Sequence, residues 1–190
     1  MKKSFGAKPI VHPTPTWVVC TYDADGKANG MTAAYGGICC GDPPCLTVSL
    51  RKATYSHGCI VSRKAYTVNV LSESHVAEVD YFGIASGRNE DKFAVSGLTP
   101  VRSELVDAPY IAEAPLVVEC KLAHTFELGL HTQFVGEIVD VKADEQVLGD
   151  DGYPDMRKVK PIIYAPSCRA YLGIGSYLEP AYKVGKKLRD

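Results

Sequence analysis

Long apolar runs are missing from this chain of 190 residues. No segment approaches the ~18 consecutive apolar residues of a spanning helix, so no membrane insertion is expected. The N-terminus opens with Met1, Lys2, Lys3 and Ser4. Gly6, Lys8, His12 and two prolines then stand where a secretory signal needs an apolar stretch. An excess of one charge sign is also missing. Twenty-one Lys and Arg face 22 Asp and Glu, for a net charge of −1. Such a chain has no global field to gather nucleic acid or an anionic membrane, and neither partner is expected. Any affinity for phosphate must come from a few placed side chains.

Paired cysteine motifs are absent as well. The seven cysteines, at positions 20, 39, 40, 45, 59, 120 and 168, form an odd set without two C-x-x-C knuckles or the Cys-plus-His spacing of structural zinc. They read as reduced thiols packed like small hydrophobes, which makes the cytoplasm the expected compartment. No metal ligand is expected. A metal-binding interaction module built on Cys39, Cys40, Cys45 and Cys59 is the most distant alternative. The chain has no Walker phosphate loop, no G-x-S-x-G elbow and no H-E-x-x-H helix. Gly173, Ile174, Gly175 and Ser176 start a dinucleotide-like pattern, but Leu178 replaces its third glycine and no βαβ unit surrounds it.

What remains is an ordinary globular composition, 46% hydrophobic and 23% charged, which fits one domain spanning residues 1–190. Residues 16–22 and 27–35 flank a turn at 23–26 and read as a hairpin. A Gly, Cys and Pro loop is expected over 36–44. Residues 45–51 alternate, with Leu46, Val48 and Leu50 on one face and Thr47, Ser49 and Arg51 on the other. Thr54 is placed to cap a helix over 55–62, and Tyr66, Val68 and Val70 mark the next strand. Ser72 or Ser74 is expected to cap a second helix running through Val76 and Val79 toward Ile84, ended by Gly87. Residues 117–126 and 131–141 are expected as interior barrel strands, and 162–164 and 171–174 as short extended pieces. Strands outnumber helices and no strand then helix alternation appears, which predicts a closed antiparallel barrel with helical decorations.

Four stretches carry candidate chemistry. A polar strand face ending in Arg51 runs into Thr54 at a helix start, where a guanidinium and free backbone N–H groups suit a phosphate. Asn29, Gly30, Met31, Thr32, Ala33 and Ala34 are small enough for a planar ligand to approach the backbone. Residues 86–93 mix both charge signs around Gly87. His131 shares its strand face with Gln133 and Glu137.

Together, NGMTAAYGGI (29–38), PPCLTVSLRKATYSHGCI (43–60), VDYFGIASGRNEDKF (79–93), ELVDAPY, PLVVECKL and LGLHTQFVGEIVDVKADE (128–145) cover nearly the whole chain. In this order they resemble the flavin reductase-like family of FMN-binding split barrels, most closely its flavoredoxin branch. The closing PIIYAPSCRAYLGIG also matches, with Tyr164 and Tyr171. The resemblance implies a mainly β, antiparallel, Greek-key type split barrel of about six strands with short flanking helices. It further implies a homodimer with FMN bound noncovalently near the interface. By similarity, Asn29, Met31, Thr32, Ala33 and Ala34 lie against the isoalloxazine and ribityl chain. Ser49, Leu50, Arg51, Ala53, Thr54 and Tyr55 hold the ribityl phosphate end, and Ser86, Gly87 and Lys92 close the site. Tyr164 and Tyr171 are further cofactor contacts. His131 is the candidate catalytic residue, near the face where a reductant or acceptor approaches. The implied activity is electron transfer through the flavin, with a redox partner protein or NAD(P)H as donor. The alternative on the same barrel is an NAD(P)H-dependent flavin or metal-complex reductase. Cys39 and Cys40 follow the flavin-facing stretch and are candidate redox partners of it.

Overall fold

The computed structural model describes residues 1–189. β1 (Thr14–Pro15) leads into β2 (Trp17–Tyr22), which turns into β3 (Ala28–Ala33). Asp23 builds that turn, its Oδ1 accepting from the N–H groups of Asp25 at 3.0 Å and Lys27 at 2.9 Å. A second hairpin follows, β4 (Gly36–Gly41) and β5 (Pro44–Arg51), where the sequence predicts a loop over 36–44. The glycines and prolines that suggest a loop are tolerated for positional reasons. β4 is an edge strand paired on one side only, and Pro44 is the first residue of β5. Gly36 has a packing role, because a Cβ there would lie 2.6 Å from the Thr47 carbonyl oxygen and 2.7 Å from the Trp17 ring.

α1 (Tyr55–Arg63) and β6 (Ala65–Val70) come next, and a 3-10 turn at Glu73–His75 opens α2 (Val76–Ile84). α2 ends at Ala85, two residues before the predicted Gly87 stop. α3 (Lys92–Ser96), which starts at the end of the charged stretch 86–93, is capped by the Asp91 carboxylate, which accepts from the Ala94 N–H at 3.1 Å. The short hairpin β7 (Pro100–Arg102) and β8 (Pro109–Ile111) precedes two long strands, β9 (Leu116–Leu128) and β10 (His131–Ala143). α4 (Met156–Val159), β11 (Ile163–Ala165) and β12 (Ala170–Leu172) complete the order, with β1, β11 and β12 forming a small separate sheet.

The main sheet has seven strands, one more than expected because residues 36–41 add β4. Its order is β3-β2-β6-β9-β10-β5-β4, with every neighbouring pair antiparallel. The two edge strands are consecutive in sequence and separated only by Ala34 and Tyr35, so the sheet curls until its ends meet. No ladder joins β3 to β4, and the barrel is split there. Alternation along β2 sorts two cores: Val19 faces inward with Val48, Val68 and Phe134, while Val18 and Cys20 face outward against Val79 and Phe82 of α2. Ile60 of α1 belongs to the inner core, so this helix plugs the barrel near the split.

The expected interior strands are interior for only part of their length. β6 pairs with β9 from Leu116 to Lys121, and beyond that point β9 has β10 alone beside it. The overhanging half is exposed, including Phe126, Leu128 and the turn residue Leu130.

Candidate functional site

β5 sets the first group of candidates. Its alternation buries Leu50 in the barrel core with Leu46 and Val48, so Leu50 offers a site only its backbone. Arg51 emerges exposed at the strand end, directly across from His131 on β10. The chain then turns on the Arg51 carbonyl, which accepts from the Thr54 N–H at 2.9 Å and the Thr54 hydroxyl at 2.8 Å. Thr54 is the N-cap of α1 by backbone conformation, yet its hydroxyl makes no capping bond. The first-turn N–H groups of α1 therefore keep their donors free of a side-chain acceptor.

The loop after α2 closes onto this helix start. At Gly87 a Cβ would lie 2.1 Å from Asn29 Oδ1 and 2.9 Å from Tyr55 Cδ1, so the approach requires glycine. Asn29 is itself held from the other side, its Nδ2 donating to Ser56 Oγ at 2.8 Å. Arg88 straps the loop down by donating to the Ala53 carbonyl at 2.8 Å and lying 5.6 Å from the centre of the Tyr55 ring. In the sequence Arg88 is only one member of the charge-mixed stretch 86–93.

Lys92 is 4% exposed, and no carboxylate lies within 4.0 Å of it among the described residues. Its Nζ donates to the carbonyls of Phe82 at 3.1 Å and Ala85 at 3.2 Å, at the C-terminal end of α2, and sits 5.3 Å from the Phe82 ring centre. Burial pulls its pKa down to about 8, against a smaller opposing influence of Cys20 and Glu90. An ammonium has three donors, and these two bonds leave one over. Lys92 lines a cavity of about 200 Å³ together with Met31, Ala53, Thr54, Tyr55, Ser86 and Gly87. Three stretches distant in sequence thus converge on one cleft beside the split.

A second cavity, about 360 Å³, lies on the other side of Gly83, which lines both. Thr32, Ala34, Tyr164 and Tyr171 line it with Asp80 and Arg169. The two tyrosine rings are 5.7 Å apart, and the Tyr171 hydroxyl donates to Asp80 Oδ1 at 2.8 Å. Burial first, then Asp80, pushes the Tyr171 phenol up. Thr32 is tied to α2 through its hydroxyl, which donates to the Val79 carbonyl. Ala33 is buried in the barrel core. Ser49, Arg51 and His131 line neither cavity. They stand along the adjoining ends of β5 and β10, where the His131 ring is 5.4 Å from Tyr35.

His57 carries no mark in the sequence pattern that singles it out. Its Nε2 is 2.8 Å from Thr132 Oγ1, and that hydroxyl donates to Glu127 Oε1 at 2.9 Å. With the Thr132 proton committed to Glu127, His57 Nε2 is the donor. Burial lowers the His57 pKa. Lys52 also pairs with Glu127, so the first turn of α1 is tethered to the β9–β10 hairpin. No spacing in the sequence signals this relay, because its members come from three elements.

The fold and the cleft define a class: a split antiparallel barrel whose cleft brings a buried ammonium beside a helix N-terminus, with an exposed guanidinium at the adjoining end of β5. The chain belongs to the flavin reductase like domain family, whose model matches residues 11–169. It is similar to the flavoredoxin of Desulfovibrio vulgaris (Miyazaki F), with 53% identity and a TM-score of 0.93 over 97% of this chain and 100% of that one. It also resembles a flavoredoxin from Methanosarcina acetivorans, at 30% identity and a TM-score of 0.89, covering 99% and 98% of the two chains. A curated relative, the high molecular weight rubredoxin of Moorella thermoacetica, is 28% identical over 77% of this chain and 58% of its own. The chain spans about three fifths of the length of two of the curated relatives it matches, 61% in one and 58% in the Moorella protein.

Proposed function

We propose that this chain binds FMN noncovalently at the split and serves as an electron carrier between redox partners. The observation that carries the reading is the convergence of Met31, Thr54, Gly87 and Lys92 on one cleft in a member of a flavin reductase family. The residues fit the cofactor's chemistry. Arg51 and the free N–H groups of α1 are assigned to the phosphate. Lys92, buried without an anionic partner and with a donor to spare, is assigned to an acceptor oxygen of the ligand. Gly87 lets the loop close on it, and Thr32, Ala34, Tyr164 and Tyr171 extend the surface past Gly83. A bound flavin supplies the redox chemistry, and the side chains position it and limit access. His131 is assigned to the open face beyond Arg51, where a reductant or acceptor approaches.

The names of the relatives support transfer between proteins: two flavoredoxins and a rubredoxin. A homodimer is part of the reading. The cleft holds about 200 Å³, below the ~300–1,000 Å³ of ordinary ligand sites, and the overhanging hairpin presents Phe126, Leu128 and Leu130 to a second copy. Seven free thiols suit a reducing compartment such as the cytoplasm. No helix among the described residues is long and apolar enough to cross a membrane.

Purified protein should be yellow or take up added FMN with quenching of its fluorescence; a colourless protein that binds none defeats the reading. Stopped-flow mixing with NADH and NADPH separates carrier from reductase. Slow bleaching is expected, and rapid bleaching would assign the chain to NAD(P)H-dependent reduction of flavins or metal complexes instead.

A further inference from the structure

The β4–β5 hairpin gathers three thiols away from the cleft. Cys40 stands directly opposite Cys45 in the ladder, and the irregularity between Ile38 and Cys40 leaves Cys39 over. Opposed residues of an antiparallel ladder share a face, with Cα atoms about 4.5–5.5 Å apart. A disulfide spans about 4.4–6.8 Å. Cys40 is exposed, its Sγ 3.3 Å from the Asp42 carbonyl oxygen, a weak contact that a bond rotation releases. Cys45 is buried, and burial first, then Cys39, Cys40 and Glu137, raises its pKa. Cys120 is out of reach. Cys45 pairs with Glu137 of β10, while Cys120 lies one strand further away, opposite Ile138. Two strand spacings are about 9.6 Å. No group of three or more His, Cys, Asp or Glu among the described residues is placed to hold a metal ion. The chemistry left to these thiols is exchange with a disulfide.

We propose that Cys40 and Cys45 form a reversible dithiol and disulfide pair, oxidised by a small-molecule disulfide of the glutathione type. The Cys40 thiolate attacks one sulfur of the oxidant, breaking its S–S bond and releasing one thiol. The Cys45 thiolate then attacks the Cys40 sulfur, releasing the second thiol and closing the protein disulfide. The two protein thiols give up two electrons and two protons, and the oxidant leaves as two thiols. Attack falls to Cys40 because it is the accessible member, and resolution falls to the shielded Cys45. Cys45 and Arg51 stand six residue steps apart along β5, roughly 20 Å of strand, so the pair works independently of whatever the cleft binds.

The test uses the full chain carrying Cys168→Ser, which removes the exposed thiol that lies outside the hairpin. Incubated with oxidised glutathione, alkylated and weighed intact, it should lose two alkylatable thiols and retain no glutathione, and dithiothreitol should restore both. Cys39, Cys40 and Cys45 share one tryptic peptide, residues 28–51, so substitutions assign the bond. Cys45→Ser should trap glutathione on Cys40, Cys40→Ser should form no disulfide in the hairpin, and Cys39→Ser should still lose two thiols. Cys45→Ala, with an unchanged circular dichroism spectrum, should trap the same adduct and so exclude misfolding as the cause. The proposal is overturned by loss of two thiols in Cys45→Ser or Cys40→Ser, by a stable glutathione adduct with Cys45 present, or by no reaction.

Discussion

β3 and β4 are the two edges of one sheet, two residues apart in the chain, and their surroundings are opposite. β3 is roofed. Gly30 lies under the Phe82 ring, Thr32 is bonded to Val79, and Asn29 reaches Ser56 of α1. β4 is bare: Ile38 is 71% exposed, and Cys39, Cys40 and Gly41 are also exposed. The difference accounts for placing the proposed site at one edge and not the other. A covered edge supplies walls, buried charge and close backbone approach, whereas a bare edge is guarded only by its shortness and an irregular ladder.

Substitutions on the two sides should diverge accordingly. The largest effect is expected for Phe82→Ala. This buried ring packs 5.2 Å from Phe93 and under Lys92, and its loss should cost about 3–5 kcal/mol in urea unfolding. Arg51→Ala should weaken FMN, with riboflavin nearly unaffected. A charge-assisted contact is worth about 1.5–3 kcal/mol, or roughly 10- to 150-fold in titration. Equal losses for both ligands would remove Arg51 from the phosphate. Gly87→Ala forces Asn29 and Tyr55 aside and should cost about 1–3 kcal/mol in stability, with weaker FMN binding. Gly37→Ala on β4, where a Cβ meets nothing within 4 Å, should change unfolding by less than about 0.5 kcal/mol.

A smaller effect is expected from pH. Lys92 has its pKa lowered from 10.5 to about 8 in the folded chain, so the unfolded chain holds more protons between those values. The cost of burying the charge is present in full below pH 8 and fades as pH rises toward 10.5. Relative to Lys92→Met, the unsubstituted protein should gain stability across that window. Its affinity for anionic FMN should fall across the same window, because the ammonium is lost. A flat difference between the two proteins would show that Lys92 does not titrate there.

Much of this contrast is readable before folding. The alternation of Leu46, Val48 and Leu50 fixes the inward face of β5, and Thr54 marks the start of α1. Gly87 and Lys92 stand out in a charged stretch, although only folding presses one against Asn29 and buries the other on α2 carbonyls. β4 is hidden because glycine and proline read as turn chemistry, and an edge position that tolerates them leaves no local mark. The relay of His57, Thr132 and Glu127 is hidden for another reason. Its members meet only after β10 docks beside β5.

That docking has a kinetic consequence. The β2–β3, β4–β5 and β9–β10 hairpins close over short loops, but the seams from β2 to β6, from β6 to β9 and from β10 to β5 join residues 46 to 92 positions apart. Pairings of such sequence separation are the slow ones in folding, and here a single late hairpin supplies two of the three. Every residue of the cleft beside Lys92 is already present by position 92. The first half of the chain therefore carries the groups of the proposed site before it has a wall to hold them, and FMN uptake during refolding should report when the β9–β10 hairpin wedges into place.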